Sequence, residues 1–362
     1  MKKITSMILA LVFAVSVIGS ASAKTLKIQL TFPKTSYDGQ IVKMWTDRVT
    51  KLTRGELKFE LLSKGEVVGM KETLEAVDKG LVDGGAAWTH YWSNYHPAAM
   101  LFGSPVAGGG IGLSTKSWLA WYFDNGGKEL YDQLWSEMGM NVKGFVMASS
   151  GPEALGWFKE PIKNMDDFRK YRFRTPPGIP GQTYKDIGIA SVSLSGGDIL
   201  PALEKGTIDA AEWCCPKPDS VFGFQKVLKN YYLQGLHQNV VNGDIYINGD
   251  VYNSLTDHQK YAMEVASEAM ITRNITNRAV ENGKALIDLT ENHGVKLWDT
   301  PADYFTEYMN AAQATLKKNA ASNAFFKEVY EHMTAHAKIV VPFIAQMETS
   351  DASIGTAFAS QQ

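Results

Sequence analysis

Residues 196–215 hold the group of side chains best placed to do chemistry: Gly196-Gly197-Asp198-Ile199-Leu200-Pro201-Ala202-Leu203-Glu204-Lys205-Gly206-Thr207-Ile208-Asp209-Ala210-Ala211-Glu212-Trp213-Cys214-Cys215. A carboxylate and an indole, Glu212 and Trp213, close a run from Thr207 to Ala211 that is too short for a helix and suits a buried strand. A charge at the end of a buried strand is costly unless a partner meets it there. In open α/β sheets ligands gather at the carboxyl ends of strands. Glu212 and Trp213 are therefore candidate site residues. The helix that must precede this strand has Ile199, Leu200 and Leu203 as its apolar face, and Gly206 stands where its C-cap belongs.

The same unit occurs earlier in the chain. Glu72-Thr73-Leu74-Glu75-Ala76-Val77-Asp78-Lys79-Gly80-Leu81-Val82-Asp83 aligns without gaps on Asp198 through Asp209, with Leu, Ala, Lys, Gly and Asp coinciding. Beyond it the first copy runs Gly84-Gly85-Ala86-Ala87-Trp88, again closing on tryptophan. Two copies are too few for a solenoid. They fit two α/β lobes, each using a helix-turn-strand unit to aim a tryptophan, Trp88 or Trp213, at a shared cleft.

The two cysteines are the neighbours Cys214 and Cys215. With no further cysteine, neither a zinc nor a thiol-catalysis spacing can be completed, and they are expected as small packing residues behind the site. The chain also offers no nucleophile elbow and no zinc-binding helix. Formal net charge is −2, acids and bases are interspersed, and no basic block points to nucleic acid. Nine tryptophans and fifteen tyrosines suit a protein that encloses a small ligand.

Met1-Lys2-Lys3, an apolar run from Met7 to Ile18 and Ala21-Ser22-Ala23 read as a secretory signal peptide over residues 1–23, too short to span a bilayer. An exported chain beginning at Lys24 is expected. Period and punctuation then predict strands over Thr25–Thr31, Leu57–Leu62, Val142–Ala148, Arg172–Arg174 and Ile245–Asn248. Helices are predicted over Tyr37–Leu52, Lys71–Lys79, Ser117–Met138, Met165–Lys170 and Phe222–Lys229, and nearly throughout from Asp257. Alternating β and α with a helical tail is the pattern of a parallel-sheet α/β protein. The expected organisation is lobe one over 24–148, with about 240–270 returning to it, and lobe two over 149–239. A C-terminal helical region over 271–362 packs on the lobes.

Three stretches resemble the extracytoplasmic solute-binding proteins of TRAP transporters: Arg172-Phe173-Arg174-Thr175-Pro176-Pro177-Gly178, Gly196-Gly197-Asp198-Ile199 and Ala202 through Trp213. Gly223-Phe224, Tyr231-Tyr232 and the strand ending at Asn248 fit the same pattern. The Glu-Trp ending is similar to the branch that binds 2-oxo and 2-hydroxy monocarboxylates, in some members with a metal ion. The resemblance implies a two-lobed periplasmic-binding-protein fold with a ligand cleft between the lobes. It also implies a binding protein that hands a small organic acid, with or without an apolar or aromatic tail, to membrane permease subunits.

Residue by residue, the resemblance makes Arg174 the clamp on the ligand carboxylate, a role for which the planar guanidinium fork is suited. Arg172, two residues away on the same strand face, is the fallback clamp. Glu212 and the carbonyl of Trp213 become ligands for Na+ or Ca2+. Glu153, in the loop Ser149–Phe158, stands at or beside a position where the branch has glutamine. Two carboxylates favour calcium over sodium. The alternative pairs Glu153 with a cationic ligand group or with Lys170. Asp244 is a further candidate metal or hydroxyl ligand, and Trp88, Trp92 and Trp213 are candidate aromatic walls. A long C-terminal helix mediates dimerisation in the branch, and Phe325, Phe326, Val329, Tyr330, Met333 and Ile339 form the corresponding apolar stripe. Two other readings remain at this stage: a secreted hydrolase using Glu153 and Glu212 as an acid-base pair, and a ligand sensor for a membrane receptor.

Overall fold

The computed structural model describes residues 23–194 and 196–361; the leader expected over residues 1–23 lies outside this range except at Ala23. Two sheets organise the chain. The first orders its strands Leu57–Leu62, Lys24–Leu30, Gly84–Trp88, Val241–Asn248 and Val142–Ser150. Lys24–Leu30 runs parallel to both neighbours, and Val241–Asn248 runs antiparallel to both of its own. The second sheet orders Lys296–Trp298, Asn230–Tyr232, Gly156–Phe158, Ala210–Ala211, Arg172–Arg174 and Ala190–Val192. The mixed sheets and long C-terminal helices are the two-lobed architecture that the sequence implied.

The chain passes from the first sheet to the second through residues 151–155 and returns through 233–240. These two crossover segments lie side by side. Glu153 N–H donates to the Gln238 carbonyl at 3.0 Å. Glycine makes the approach possible: a Cβ on Gly151 would meet the Asn239 carbonyl oxygen at 2.6 Å, and one on Gly235 would meet the Glu153 carbonyl oxygen at 2.9 Å. A third passage is made by the helix Asp257–Asn292, which packs on Tyr37–Leu52 and Val142–Ser150 at one end and on Pro216–Phe222 at the other. It then delivers Lys296–Trp298 to the edge of the second sheet.

The two repeated units fold alike. Their helices are Thr73–Asp78 and Gly196–Glu204, and their glycines Gly80 and Gly206 sit at φ 68° and 67°. Leu81 N–H donates to the Ala76 carbonyl at 2.8 Å, and Thr207 N–H to that of Ala202 at 2.9 Å. Each unit then enters its sheet through an aspartate. Asp83 N–H bonds the Lys27 carbonyl while its carboxylate accepts Lys27 N–H at 2.7 Å. Asp209 does the same with Arg172, at 3.0 Å and 3.4 Å.

Several predicted elements differ in extent. The helix expected over Ser117–Met138 is two, Thr115–Asp124 and Gly127–Glu137, because Gly126 adopts φ 77° between them. The helix expected over Phe222–Lys229 is a helix Pro216–Phe222 that ends on left-handed Gly223, followed by a 3-10 turn Phe224–Lys226. The strand after Gly206 shortens to Ala210–Ala211. The strands Gly156–Phe158, Ala190–Val192, Asn230–Tyr232 and Lys296–Trp298 carry three residues each, too few to show a period.

The tail forms Ala302–Ser322, which packs on Ile179–Asp186, and Ala324–Ala359, which packs on Thr115–Asp124. Phe325, Phe326, Val329 and Met333 are buried in the main core. Further along, Ile339, Phe343, Met347, Ile354 and Phe358 are exposed. No helix among the described residues is long and apolar enough to cross a membrane.

Candidate functional site

A cavity of about 100 Å3 opens where the crossovers meet the strand ends, with Arg174, Glu153, Trp88, Trp213, Gln238 and Arg278 among its lining residues. Arg174 closes the strand Arg172–Arg174, whose neighbour Ala210–Ala211 runs parallel and leads directly into Glu212. Arg174 and Glu212 are thus brought together by register. The Arg174 Nη1 donates to the Glu212 carbonyl at 2.8 Å and to Glu212 Oε1 at 2.5 Å. Its Nε and Nη2 both reach the Leu194 carbonyl, at 3.2 and 3.1 Å. A guanidinium has five N–H donors, so these four bonds leave one on Nη2 uncommitted. The guanidinium also lies 5.1 Å from the centre of the Trp213 ring, a cation–π contact that fixes the indole beside it.

Behind Arg174, three buried groups from three segments converge. Glu153 comes from the first crossover, His237 from the second and Glu212 from the strand end. One ligating atom of each lies within 4.8 Å of the others. Glu153 Oε2, Glu212 Oε2 and His237 Nε2 all lack a hydrogen-bond partner among the described residues. His237 Nε2 is 3.5 Å from Glu212 Oε2. Burial, reinforced by the Glu212 charge, holds the Glu153 carboxyl far above the ordinary carboxylate range. Buried unpartnered polar atoms are costly, and two carboxylates facing each other doubly so. A cation held by all three would satisfy each of them, so the donor set fits a metal ion.

The loop carrying Trp213 is fixed from below by Asp219. Its Oδ1 accepts the N–H groups of Cys214 and Cys215 at 3.0 and 3.1 Å, and its Oδ2 accepts from Trp157 Nε1 and Tyr231 Oη at 2.9 Å each. Burial raises the Asp219 carboxyl to about 7 against the pull of Trp157, Tyr231 and the Cys214 N–H. Cys214 and Cys215 are free thiols, and Cys214 reaches the cavity wall rather than lying wholly behind it.

Arg278, from the long helix Asp257–Asn292, closes the opposite side. It donates to Asp38 at 2.9 Å and to Asn274 at 3.3 Å, contacts both cysteine sulfurs and lies over the rings of Tyr37 and Trp88. His90 also lines the cavity, and burial drives its imidazole down to about 4, so it is neutral.

Of the residues singled out from sequence, the structure brings Arg174, Glu212, Trp213, Trp88 and Glu153 together. Three others it places elsewhere. Arg172 sits at the outer end of its strand, about 6.6 Å from Arg174 at ordinary strand rise, and pairs through Nε and Nη2 with Asp209 at 2.8 and 2.9 Å. Trp92 is buried in lobe-one packing, edge-on to Tyr246. Asp244 is fully buried, accepting from Thr89 and Tyr131 at 2.9 and 2.8 Å, and does not face the cavity. Lys170 pairs with Asp167 rather than with Glu153.

His237 and Arg278 were not found from sequence. Arg278 carried a signal: Met270, Asn274 and Arg278 share one helix face at spacing four, so polar groups interrupt a buried stripe. His237 lies in an aperiodic crossover and carried none.

Comparison with known proteins gives the class. The family described as bacterial extracellular solute-binding protein, family 7 (DctP), matches residues 30–323. The chain belongs to that family. It is 32% identical over 298 residues to a monocarboxylate 2-oxoacid-binding periplasmic protein of Nostoc, covering 80% of this chain and 78% of the relative. A TRAP transporter solute-binding protein of Bordetella bronchiseptica, solved as a dimer with calcium and picolinate, superposes with a TM-score of 0.85. It is 25% identical and covers 94% of this chain and 99% of its own. A TRAP periplasmic solute-binding protein of Pseudoalteromonas atlantica with bound sodium and pyruvate shares the fold, with a TM-score of 0.82 at 21% identity over 91% of this chain and 99% of its own. Family members are periplasmic substrate-binding receptors for TRAP transporters, so the hydrolase reading of Glu153 and Glu212 falls.

Proposed function

We propose that this chain, exported by cleavage after Ala23, captures a small 2-oxo or 2-hydroxy monocarboxylate between its lobes and presents it to TRAP permease subunits. The observation that carries this is the buried Arg174, aligned by strand register with Glu212 and aimed into the cavity with Trp88 and Trp213. The cavity volume of about 100 Å3 is well below the roughly 300 Å3 at which drug-sized sites begin. That favours an acid of a few heavy atoms over one with an aromatic tail. On this reading the ligand carboxylate takes the uncommitted Nη2 donor and displaces the Leu194 carbonyl to complete a two-donor clamp. Glu212, the Trp213 carbonyl and Glu153 hold a calcium or sodium ion like those in the Bordetella and Pseudoalteromonas proteins. When bound, such an ion supplies positive charge to the 2-oxo or 2-hydroxy oxygen and to the facing carboxylates.

The lobes are taken as 24–148 with about 240–270, and 149–239. The exposed apolar stripe from Ile339 to Phe358 supports a homodimer through the last helix, and a strictly monomeric mass in light scattering would contradict it. The test of the ligand reading is calorimetric titration with pyruvate. Two charged hydrogen bonds are worth about 3 kcal/mol or more together, so Arg174→Ala is expected to weaken binding at least about 100-fold. Retained affinity would sink the clamp.

A further inference from the structure

His237 has no part in the ligand set just proposed, yet its environment is that of a metal-bound imidazole. The ring is fully buried. Its Nδ1 lies 3.2 Å from the Tyr184 hydroxyl, which is itself 3.2 Å from the Tyr304 hydroxyl. Tyr304 is held in turn by the N–H of Leu236, at 3.0 Å. In the tautomer with its proton on Nδ1, the ring donates to the Tyr184 hydroxyl and presents a lone pair on Nε2, and partners of this kind orient histidines on metals. Here Nε2 makes no hydrogen bond among the described residues; it lies 3.5 Å from Glu212 Oε2, and Glu153, Glu212 and His237 each offer a ligating atom within 4.8 Å of the others. Three unsatisfied donor atoms from three segments, each on a side chain more than nine-tenths buried, share one space.

We propose that His237 Nε2 is a third protein ligand, making this a mixed carboxylate–imidazole centre that prefers a first-row divalent ion over calcium or sodium. The inference rests on the metal reading above and changes the ion class. Calcium and sodium take oxygen donors, whereas imidazole suits zinc, nickel, copper and iron. A nitrogen donor among two carboxylates moves the site toward the latter group. The ligating atoms are Glu153 Oε2, Glu212 Oε2 and His237 Nε2, with Tyr184 as the positioning residue for the ring. The solute is then held as a chelate of that ion, with its carboxylate on Arg174.

The test uses the full-length mature protein stripped with chelator, then titrated with Co2+ and separately with Ca2+. Binding is read by calorimetry, and Co2+ also by its visible absorption. Wild type is expected to bind Co2+ at least about 100-fold more tightly than Ca2+. His237→Gln, which makes the side-chain donors all oxygen, is expected to lose most of that preference while keeping Ca2+ affinity. Tyr184→Phe should weaken Co2+ about 10-fold, the usual cost of losing an outer partner. Calcium binding as tight as cobalt in wild type, or a ratio unmoved in His237→Gln, would overturn the inference alone. Absence of binding by either ion would overturn both it and the metal reading, leaving Arg174 as the anchor. If His237→Gln does not fold, the wild-type ratio decides.

Discussion

The two helix-turn-strand units share their turn geometry and their aspartate staple, and then diverge. At the position where the second has Glu212, the first has Ala86, buried with no charge to satisfy. The acid set beside the far end of the first unit's strand is instead Asp244, across from Ala87 in the antiparallel register. It has no cationic partner among the described residues, and burial lifts its carboxyl to about 7. Glu212, equally buried, is met by Arg174. One acid is relieved by a raised affinity for its proton and the other by a guanidinium. Only the second arrangement leaves a charged, oriented group at a strand end, facing a cavity. The scaffold is common to both units, and the buried acid–guanidinium pair belongs to one.

The largest effect that sharpens this contrast is a pH effect at Asp244. A carboxyl raised from 3.8 to about 7 on folding binds a proton that the unfolded chain has already released, so stability falls as pH rises from about 4 to about 7. At about 1.4 kcal/mol per pH decade, the cost above pH 7 is on the order of 4 kcal/mol. Asp244→Asn keeps an acceptor for Thr89 and Tyr131 and removes the titration. Its denaturation midpoint should match wild type near pH 4 and exceed it increasingly up to pH 8. A constant difference across that range would show that Asp244 is ionised when folded.

A smaller effect tests what the units share. Asp83→Asn and Asp209→Asn each weaken a partly exposed carboxylate–amide staple and should each cost about 1 kcal/mol in urea unfolding. Asp209 also loses its pair with half-exposed Arg172, but such surface pairs add less than about 1 kcal/mol. Near-equal losses are therefore expected. A much larger loss for Asp209→Asn would mean that Arg172 does more than anchor a strand.

The repeat and the strand-end acid were legible because each rests on local rules: glycine at a left-handed turn, a short apolar run, a charge at its end. Arg174 was singled out by the resemblance to a family, since nothing local distinguishes it from Arg172. Arg172 misled because strand alternation gives a residue's face but not its depth along the strand. Trp92 misled because an aromatic beside the cleft reads like one in the core behind it. Asp244 lies in a strand buried along its whole length, where alternation marks neither face as the ligand's. His237 and Arg278 depend on which distant segments meet: a crossover pressed against another, and a helix that passes both lobes. Such contacts leave no period in the chain.

The central claim is that the end of the second unit, and not the shared scaffold, binds the solute. The measurement that tests it most directly is the pyruvate titration repeated on Glu212→Ala, the change that gives the second unit the first unit's residue. It would be run with calcium, with cobalt and with chelator. Wild type should bind in the presence of metal and weaken with chelator, while Glu212→Ala should bind at least about 100-fold more weakly and ignore the chelator. Wild-type affinity in Glu212→Ala, still lost to chelator, would place the metal and the solute somewhere else.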